Sequence, residues 1–345
     1  MNTKRLLFLS LIALAMAGMV FAGNPEKSGT AAGQELLIPI GARGTALAGS
    51  GIASISGVEA LYYNPAGIAA SGQSVETMFS HMRYIADINL TNLAVAANVG
   101  FGTLAFSFQN VGFGDIEQTT ESAPDGTGVL FTPTYFTISG AFSRAMTDRI
   151  HAGVAVKLIS EKIMGMKANG VALDMGVQYR HASGINLGIA LKNYGTGMKF
   201  NGGDVERLVT LPNTEPGTPN RRLSVPTQRD EFPSTFEMGL SYDVVPMEKT
   251  NLLIMANFLN HNFGNDQVQG GAELSFNNMF FLRGGYSFGT NQTKYEGESD
   301  YIWGPSFGGG LRYNLGGTTS IVLDYAYRTA NFFTDNNIFT FKIEF

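Results

Sequence analysis

Ile150-His151-Ala152-Gly153-Val154-Ala155-Val156-Lys157-Leu158 and, a little further on, Val171-Ala172-Leu173-Asp174-Met175-Gly176-Val177-Gln178-Tyr179-Arg180 share one pattern. One alternate set is apolar: Ile150, Ala152, Val154, Val156 and Leu158, then Val171, Leu173, Met175, Val177 and Tyr179. Between them stand His151, Gly153, Ala155 and Lys157, then Ala172, Asp174, Gly176, Gln178 and Arg180. Period two marks a β-strand whose two faces meet different surroundings. A soluble sandwich would bury an aliphatic face in a dry core. Here the second face mixes small residues with isolated charges. That suits a filled or wet lumen, with the first face turned to lipid.

The pattern recurs in both directions along the chain. Its apolar faces include Leu104, Phe106 and Phe108; Ile185, Leu187, Ile189 and Leu191; Phe236, Met238, Leu240 and Tyr242; Phe280, Leu282, Tyr286 and Phe288; and Ile321, Leu323, Tyr325 and Tyr327. Fourteen segments qualify, near 73–84, 88–98, 102–111, 133–144, 150–162, 169–180, 185–194, 234–243, 250–260, 267–276, 279–288, 303–314, 318–328 and 337–345. The expected fold is all-β, a transmembrane antiparallel β-barrel of about 14 strands with a small N-terminal plug or hatch.

The connections sort by length. Every second one is short: 99–101, 146–149, 181–184, 244–249, 277–278 and 316–317. The others include 112–132, 195–233, 289–301 and 329–336. Short periplasmic turns and long external loops are the habit of outer-membrane barrels. The segment 195–233, with Pro212, Pro216, Pro219 and Pro226, is the longest.

Composition agrees. Charged residues make up 15% of the chain, below the usual ~25%, yet mean hydropathy is close to zero. Fine interleaving of apolar and small polar residues produces that combination. Cysteine is absent, which excludes disulfides, thiolate metal sites, a cysteine nucleophile and a lipoprotein anchor.

Residues 1–22 read as a secretory signal peptide. Lys4 and Arg5 form the basic start, Leu6 to Val20 the apolar stretch, and Val20-Phe21-Ala22 the cleavage tripeptide before Gly23. The apolar stretch is short for a membrane-spanning helix of ~20 residues. The signal carries two of the 23 basic residues and none of the 28 acidic ones, so its removal takes the net charge from −5 to −7. That argues against a nucleic-acid partner.

Residues 23–72 form a leader and a lumenal plug, and residues 73–345 form the barrel. The leader, Gly23 to Gly33, carries no pattern and is expected to be flexible. Beyond it, small residues permit short helices around 42–48 and 57–62, ended by Asn64-Pro65-Ala66-Gly67. That turn reads as a hinge holding a hatch inside the barrel. Arg43 is expected to neutralise acidic lumen residues such as Asp174 or Asp324, because a lone buried charge is costly.

Little else suggests chemistry. His81, His151, His181 and His261 make no metal-spaced pair, and no nucleophile elbow or phosphate loop is present. We therefore expect no enzyme, no cofactor and no metal. The acidic stretch 115–128 reads as a solvated external loop, and Trp303 as an interfacial anchor. Gly308-Gly309-Gly310 would ease curvature or close packing inside the barrel. Gly100, Gly102, Gly112 and Gly114 flank one strand and could kink it to give a lateral opening. The last strand, with Phe339, Phe341, Ile343 and terminal Phe345, resembles the signal that barrel-assembly machinery reads.

Gly33-Gln34-Glu35-Leu36-Leu37-Ile38-Pro39-Ile40-Gly41-Ala42-Arg43-Gly44-Thr45-Ala46-Leu47-Ala48-Gly49, then Ala60-Leu61-Tyr62-Tyr63-Asn64-Pro65-Ala66-Gly67-Ile68-Ala69, resembles the opening of PorV/PorQ family proteins, which are related to FadL-type barrels. The likeness continues through Ser80 to Ile88 and Thr119 to Gly128, reaching about Phe200. It implies a fourteen-stranded barrel with its N-terminal segment in the lumen, and it assigns Asn64, Pro65 and Ala66 to the hatch. PorV-type relatives serve type IX secretion, with exported proteins and a larger translocon as partners. FadL-type relatives take up long-chain fatty acids or other hydrophobic molecules. The first reading is therefore a secretion component in the bacterial outer membrane. The alternative is a transporter of hydrophobic solutes, and a purely structural barrel is a third. Membrane lipid is a partner in all three.

Overall fold

The computed structural model describes residues 23–209, 212, 220–290, 294–295, 298–299 and 301–345. The expected signal peptide, together with Pro216 and Pro219 of the longest connection, lies outside the described residues.

Fourteen strands make the barrel: β1 (Val75–Arg83), β2 (Asn89–Asn98), β3 (Thr103–Gly112), β4 (Thr134–Ala145), β5 (Ile150–Ile163), β6 (Met166–Arg180) and β7 (Ile185–Gly195). The second half is β8 (Thr235–Met247), β9 (Thr250–His261), β10 (Gln267–Phe276), β11 (Phe280–Gly289), β12 (Trp303–Gly316), β13 (Thr319–Ala330) and β14 (Asn336–Glu344). Each pairs antiparallel with its sequence neighbours. β14 returns to β1, from Glu76 opposite Glu344 to Arg83 opposite Asn337. Closure leaves no sheet edge, so every strand can bond its backbone without water, as a hydrocarbon layer demands.

Period two becomes two faces. On β5, Val154, Val156 and Leu158 point outward, whereas Ala155 and Lys157 are buried inside. Phe79, Phe106, Phe108, Phe236, Leu282 and Phe339 continue the outer belt on other strands. Water around such a belt would forgo about 1.5–3 kcal/mol per large apolar side chain, which lipid restores. Connections 99–102, 146–149, 181–184, 248–249, 277–279 and 317–318 lie at one end, and 113–133, 196–234 and 290–302 at the other. The long-loop end is taken as the outer one.

Inside the barrel, residues 34–70 fold into short helical pieces. These are 3-10 turns at Gln34–Leu37, Gly57–Glu59 and Pro65–Ala70, with α1 (Ala42–Ala46) and α2 (Ala60–Tyr63). Both predicted helical positions are helical, though α1 is shorter than expected. Ile52, Ile55, Val58, Leu61, Tyr63 and Ile68 form the core of this plug against small or aliphatic wall residues such as Ala96, Ala105, Ala141 and Ala155.

The plug sits close to the wall because the wall there is glycine. A β-carbon at Gly153, Gly176, Gly188 or Gly239, on β5 to β8, would run into Pro65, Asn64 or Ile52. On the opposite side, Gly271, Gly285 and Gly308 of β10 to β12 face Ser50, Leu47 and Ala46 in the same way. The packing role expected for Gly308 is thus observed. The other wall glycines are a feature the sequence reading had not connected to the plug.

Candidate functional site

The turn at Asn64 to Gly67 is hydrogen-bonded to the barrel wall. Asn64 Nδ2 donates to the carbonyl of Ile52 at 3.1 Å and to the carbonyls of Val177 and Ile189 at 3.3 and 3.4 Å. Its Oδ1 accepts from the Ala66 N–H at 3.1 Å. Pro65 opens the following 3-10 turn, where a missing N–H leaves nothing unmet. Gln178 of β6 donates to the carbonyls of Ile52 and Ile55, both at 2.9 Å, and Gly67 leaves room for that amide. Ala66 gives its carbonyl to the Ser143 hydroxyl at 2.9 Å.

Arg43 does pair with a lumen acid, though with neither of the two examples named. It meets Glu273 of β10 through Nε at 2.8 Å and Nη2 at 3.0 Å. The reason is position: α1 packs on β12 and β13 and reaches β11 and β14, while Asp174 lies on β6 and pairs with Lys157 at 2.6 Å. Asp324 is occupied by Arg283, which also holds Glu273 at 2.6 Å. Lys342 reaches Glu59 of the plug at 3.1 Å and Asp324 at 3.6 Å. One buried cluster therefore joins the plug, through Arg43 and Glu59, to β10, β11, β13 and β14. Burial by itself would lower the Arg43 pKa; the Glu273 charge more than offsets this and holds it above the ordinary value. The void beneath the plug, about 250 Å³, is lined by this cluster and by Arg312.

Above the plug lies a larger cavity of about 760 Å³. Tyr62, Tyr84, Phe113, Tyr135 and Trp303 give it aromatic walls, with Ile88 and Val111 between them. Tyr135 and Phe113 meet edge to face with ring centres 4.8 Å apart. Burial pushes the hydroxyls of Tyr62 and Tyr63 up, and that of Tyr84 up to about 12, so all three stay neutral donors. Lys192 lies 4.7 Å from the Tyr62 ring centre and is paired with Glu237 at 2.9 Å.

Arg328 is different. It is buried, stacks 4.0 Å from the centre of the Trp303 ring, and keeps Nε without a partner. Among the described residues, no carboxylate comes within ion-pair distance of it. Arg328 carries no motif in the sequence, and Trp303, expected at the membrane interface, instead lines the cavity. The available signal was the alternation Val322, Asp324, Ala326, Arg328, which puts a charge on the inner face of β13.

The other expected residues separate into two groups. β3 pairs without a shift from Thr103 to Gly112 against both β2 and β4, so its flanking glycines do not kink it. Gly100 and Gly114 take positive φ of 87° and 74° in connections beyond the strand. Gly102 packs under Phe142, and Gly112 is the last paired residue. The ladder stays whole because the glycines fall at its ends, where a turn needs them. On β14, Phe339 and Phe341 face outward, Ile343 is half-buried, and Phe345 follows with its N–H on the Val75 carbonyl at 2.9 Å.

No family model matches this chain, and no curated protein matches its sequence. Solved structures do match. The P. putida toluene transporter TodX aligns with a TM-score of 0.57 and 12% identity, over 88% of this chain and 98% of that one. The CymD monoaromatic hydrocarbon channel gives 0.55 and 12%, over 89% and 97%. A Pseudomonas aeruginosa FadL homologue gives 0.51 and 12%, over 89% and 98%. At such identity the likeness establishes the fold: a closed fourteen-stranded barrel of the FadL type. The PorV/PorQ part of the resemblance gains no support from these neighbours.

Proposed function

We propose that this protein sits in the bacterial outer membrane and takes up hydrophobic small molecules, the second of the three readings of the sequence. The observation that carries this is the aromatic cavity between plug and outer loops. It would hold an apolar body, while the charged void beneath the plug would not. The transporters and channels with the same fold lend support, as does the absence of any nucleophile–base arrangement in the sequence. The secretion reading rests on the opening motif, the long external loops and the plugged lumen, and the structural neighbours lend it nothing.

Arg328 favours one kind of guest. Among the described residues the buried Arg328 guanidinium has the neutral Tyr301 hydroxyl as a hydrogen-bond partner but no counter-ion, and a ligand carboxylate would supply one. A fatty acid, with its carboxylate on Arg328 and its chain along Trp303, Tyr84 and Phe113, satisfies both halves of the cavity. A neutral aromatic molecule would satisfy only the walls.

Trp303 is the sole tryptophan, so it reports binding directly. Titrating the purified barrel with a long-chain fatty acid should give saturable fluorescence quenching, and Arg328→Gln should weaken it roughly tenfold or more while leaving toluene quenching in place. No saturable response to either ligand would defeat the proposal. Co-purification with secreted proteins that share a C-terminal domain would restore the secretion reading.

A further inference from the structure

The segment 23–37 is not the free leader its composition suggests. It crosses the outer mouth as a strap. At its start, the Gly23 N–H donates to the buried Asp266 carboxylate at 3.2 Å. Lys27 lies over the Phe263 ring at 5.4 Å. The Ala32 N–H donates to the Glu231 carbonyl at 2.9 Å, and the Gly33 N–H donates to Glu161 Oε1 of β5 at 3.1 Å. Leu36 then packs with Ile159, Ala168, Met198 and Phe232. Residues of the strap, Ala31 to Glu35 among them, form one side of the aromatic cavity.

The end held at Glu161 has an unusual fastening. Glu35 and Glu161 are 4% and 5% exposed, and their carboxyl groups face one another. Both Glu35 oxygens are buried, and among the described residues only its own backbone N–H and the Glu161 carboxyl come to them. Neither acid has a lysine or arginine within ion-pair distance among the described residues. Tyr135 of β4 faces the pair. Glu231 lies beside it through Ala32, Asp230 lines the same cavity, and Lys192, two strands along the wall on β7, is already paired with Glu237. Two carboxylates cannot both be charged in such a place. The donor missing from this arrangement is a proton shared between them.

We propose that the strap is a proton-dependent closure of the cavity mouth, fastened at its inner end while Glu35 and Glu161 share a proton and released there when the pair is fully ionised. Asp266 and Phe263 keep the other end in place, so release swings the strap rather than freeing it. The chemical class recognised is the hydronium ion itself, and closure governs access from outside. Burial, with the Glu161 charge added to it, pushes the Glu35 pKa up to about 8 from an ordinary 4.5. A carboxyl raised in the closed state stabilises closure fully below its ordinary value. That contribution is lost as pH rises through about 8.

The inference rests on the cavity being the entry site, but its test needs no ligand. The chain has no cysteine, so Ser28→Cys carries a single nitroxide label on the strap. Its electron paramagnetic resonance spectrum, taken on the folded full-length barrel between pH 5 and 9, should be that of an immobile label at the acid end. A mobile component should grow to the majority as pH passes about 8. Glu35→Gln should keep the label immobile throughout; Glu161→Gln serves if the first variant fails to assemble. A wild-type spectrum independent of pH would overturn the proposal, and so would an unchanged response in both variants. Mobility at pH 9 that only added Ca²⁺ suppresses would replace the proton with a metal site. Failure of fatty-acid or toluene binding, by contrast, would leave this result standing and remove only the transport reading.

Discussion

The floor and the mouth of the cavity come from one stretch of chain but are held by different physics. The floor, residues 42–70, is seated against wall glycines on both sides, pinned by Asn64 and Gln178 to backbone carbonyls, and tied by Arg43 and Glu59 into a five-strand-wide set of buried charges and bonds. The mouth strap, residues 23–37, has a few long-range hydrogen bonds, the packing of Leu36 and one pair of acids. Interlocked packing resists gradual displacement, because every close contact must be lost together. A fastening through one ionisable pair can be undone by one proton. The contrast teaches that the plug is a fixture and the strap is the part to move.

The largest effect should come from the charge cluster. Lys342→Met leaves Glu59 buried without its cation and should cost about 3–5 kcal/mol. The temperature at which the folded barrel converts to its unfolded electrophoretic form would fall accordingly. An unchanged temperature would mean the floor is held by shape alone. Arg43→Ala should cost less than Lys342→Met, because Arg283 still faces Glu273 at 2.6 Å.

Next comes the glycine seat. Gly176→Ala places a methyl against the Asn64 side chain and should cost about 1–3 kcal/mol by overpacking, with ion leak through the reconstituted barrel as a second readout. Leak without a stability loss would show that the turn is displaced and not compressed. Asn64→Ala should cost a similar or smaller amount, about 1–3 kcal/mol, since the carbonyls of Ile52, Val177 and Ile189 lose a shared donor. If Asn64→Ala also mobilises a label at Ser28, floor and mouth are coupled and the contrast fails.

The smallest effect belongs to the outer end of the strap. Lys27→Ala removes a contact to Phe263 worth about 0.5–1 kcal/mol. It should leave the melting temperature in place and slightly raise the label's mobility at every pH. A large loss of stability would show that the strap contributes to the barrel as the floor does.

Much of the architecture was legible from residue order. Fourteen expected strands correspond to fourteen observed ones, with boundaries moved by a few residues, as at Asn169, expected to begin a strand that starts at Met166. The two helical positions in the plug were legible from small residues ended by Asn64-Pro65. What escaped was pairing across the lumen. Arg43 was matched to lumen acids other than the one it meets, the flanking glycines of β3 were given a kink they do not make, and Arg328 and Trp303 were not joined. Gly153, Gly176 and Gly188 looked like ordinary inner-face small residues; that they seat Pro65, Asn64 and Ile52 is visible only in three dimensions.

Alternation is local: each residue's side of the strand follows from its neighbours, so the two faces, the parity of connections and the closed barrel could be read along the chain. Which inner residues stand at one height is set by strand tilt and by the stagger with which β14 closes on β1. A charge pair such as Arg43 and Glu273, some 230 positions apart in sequence, depends on that stagger and on where the plug comes to rest. Folding to the wall decides both, and with them the cavity, the buried Arg328 beside Trp303 and the acid pair at its mouth.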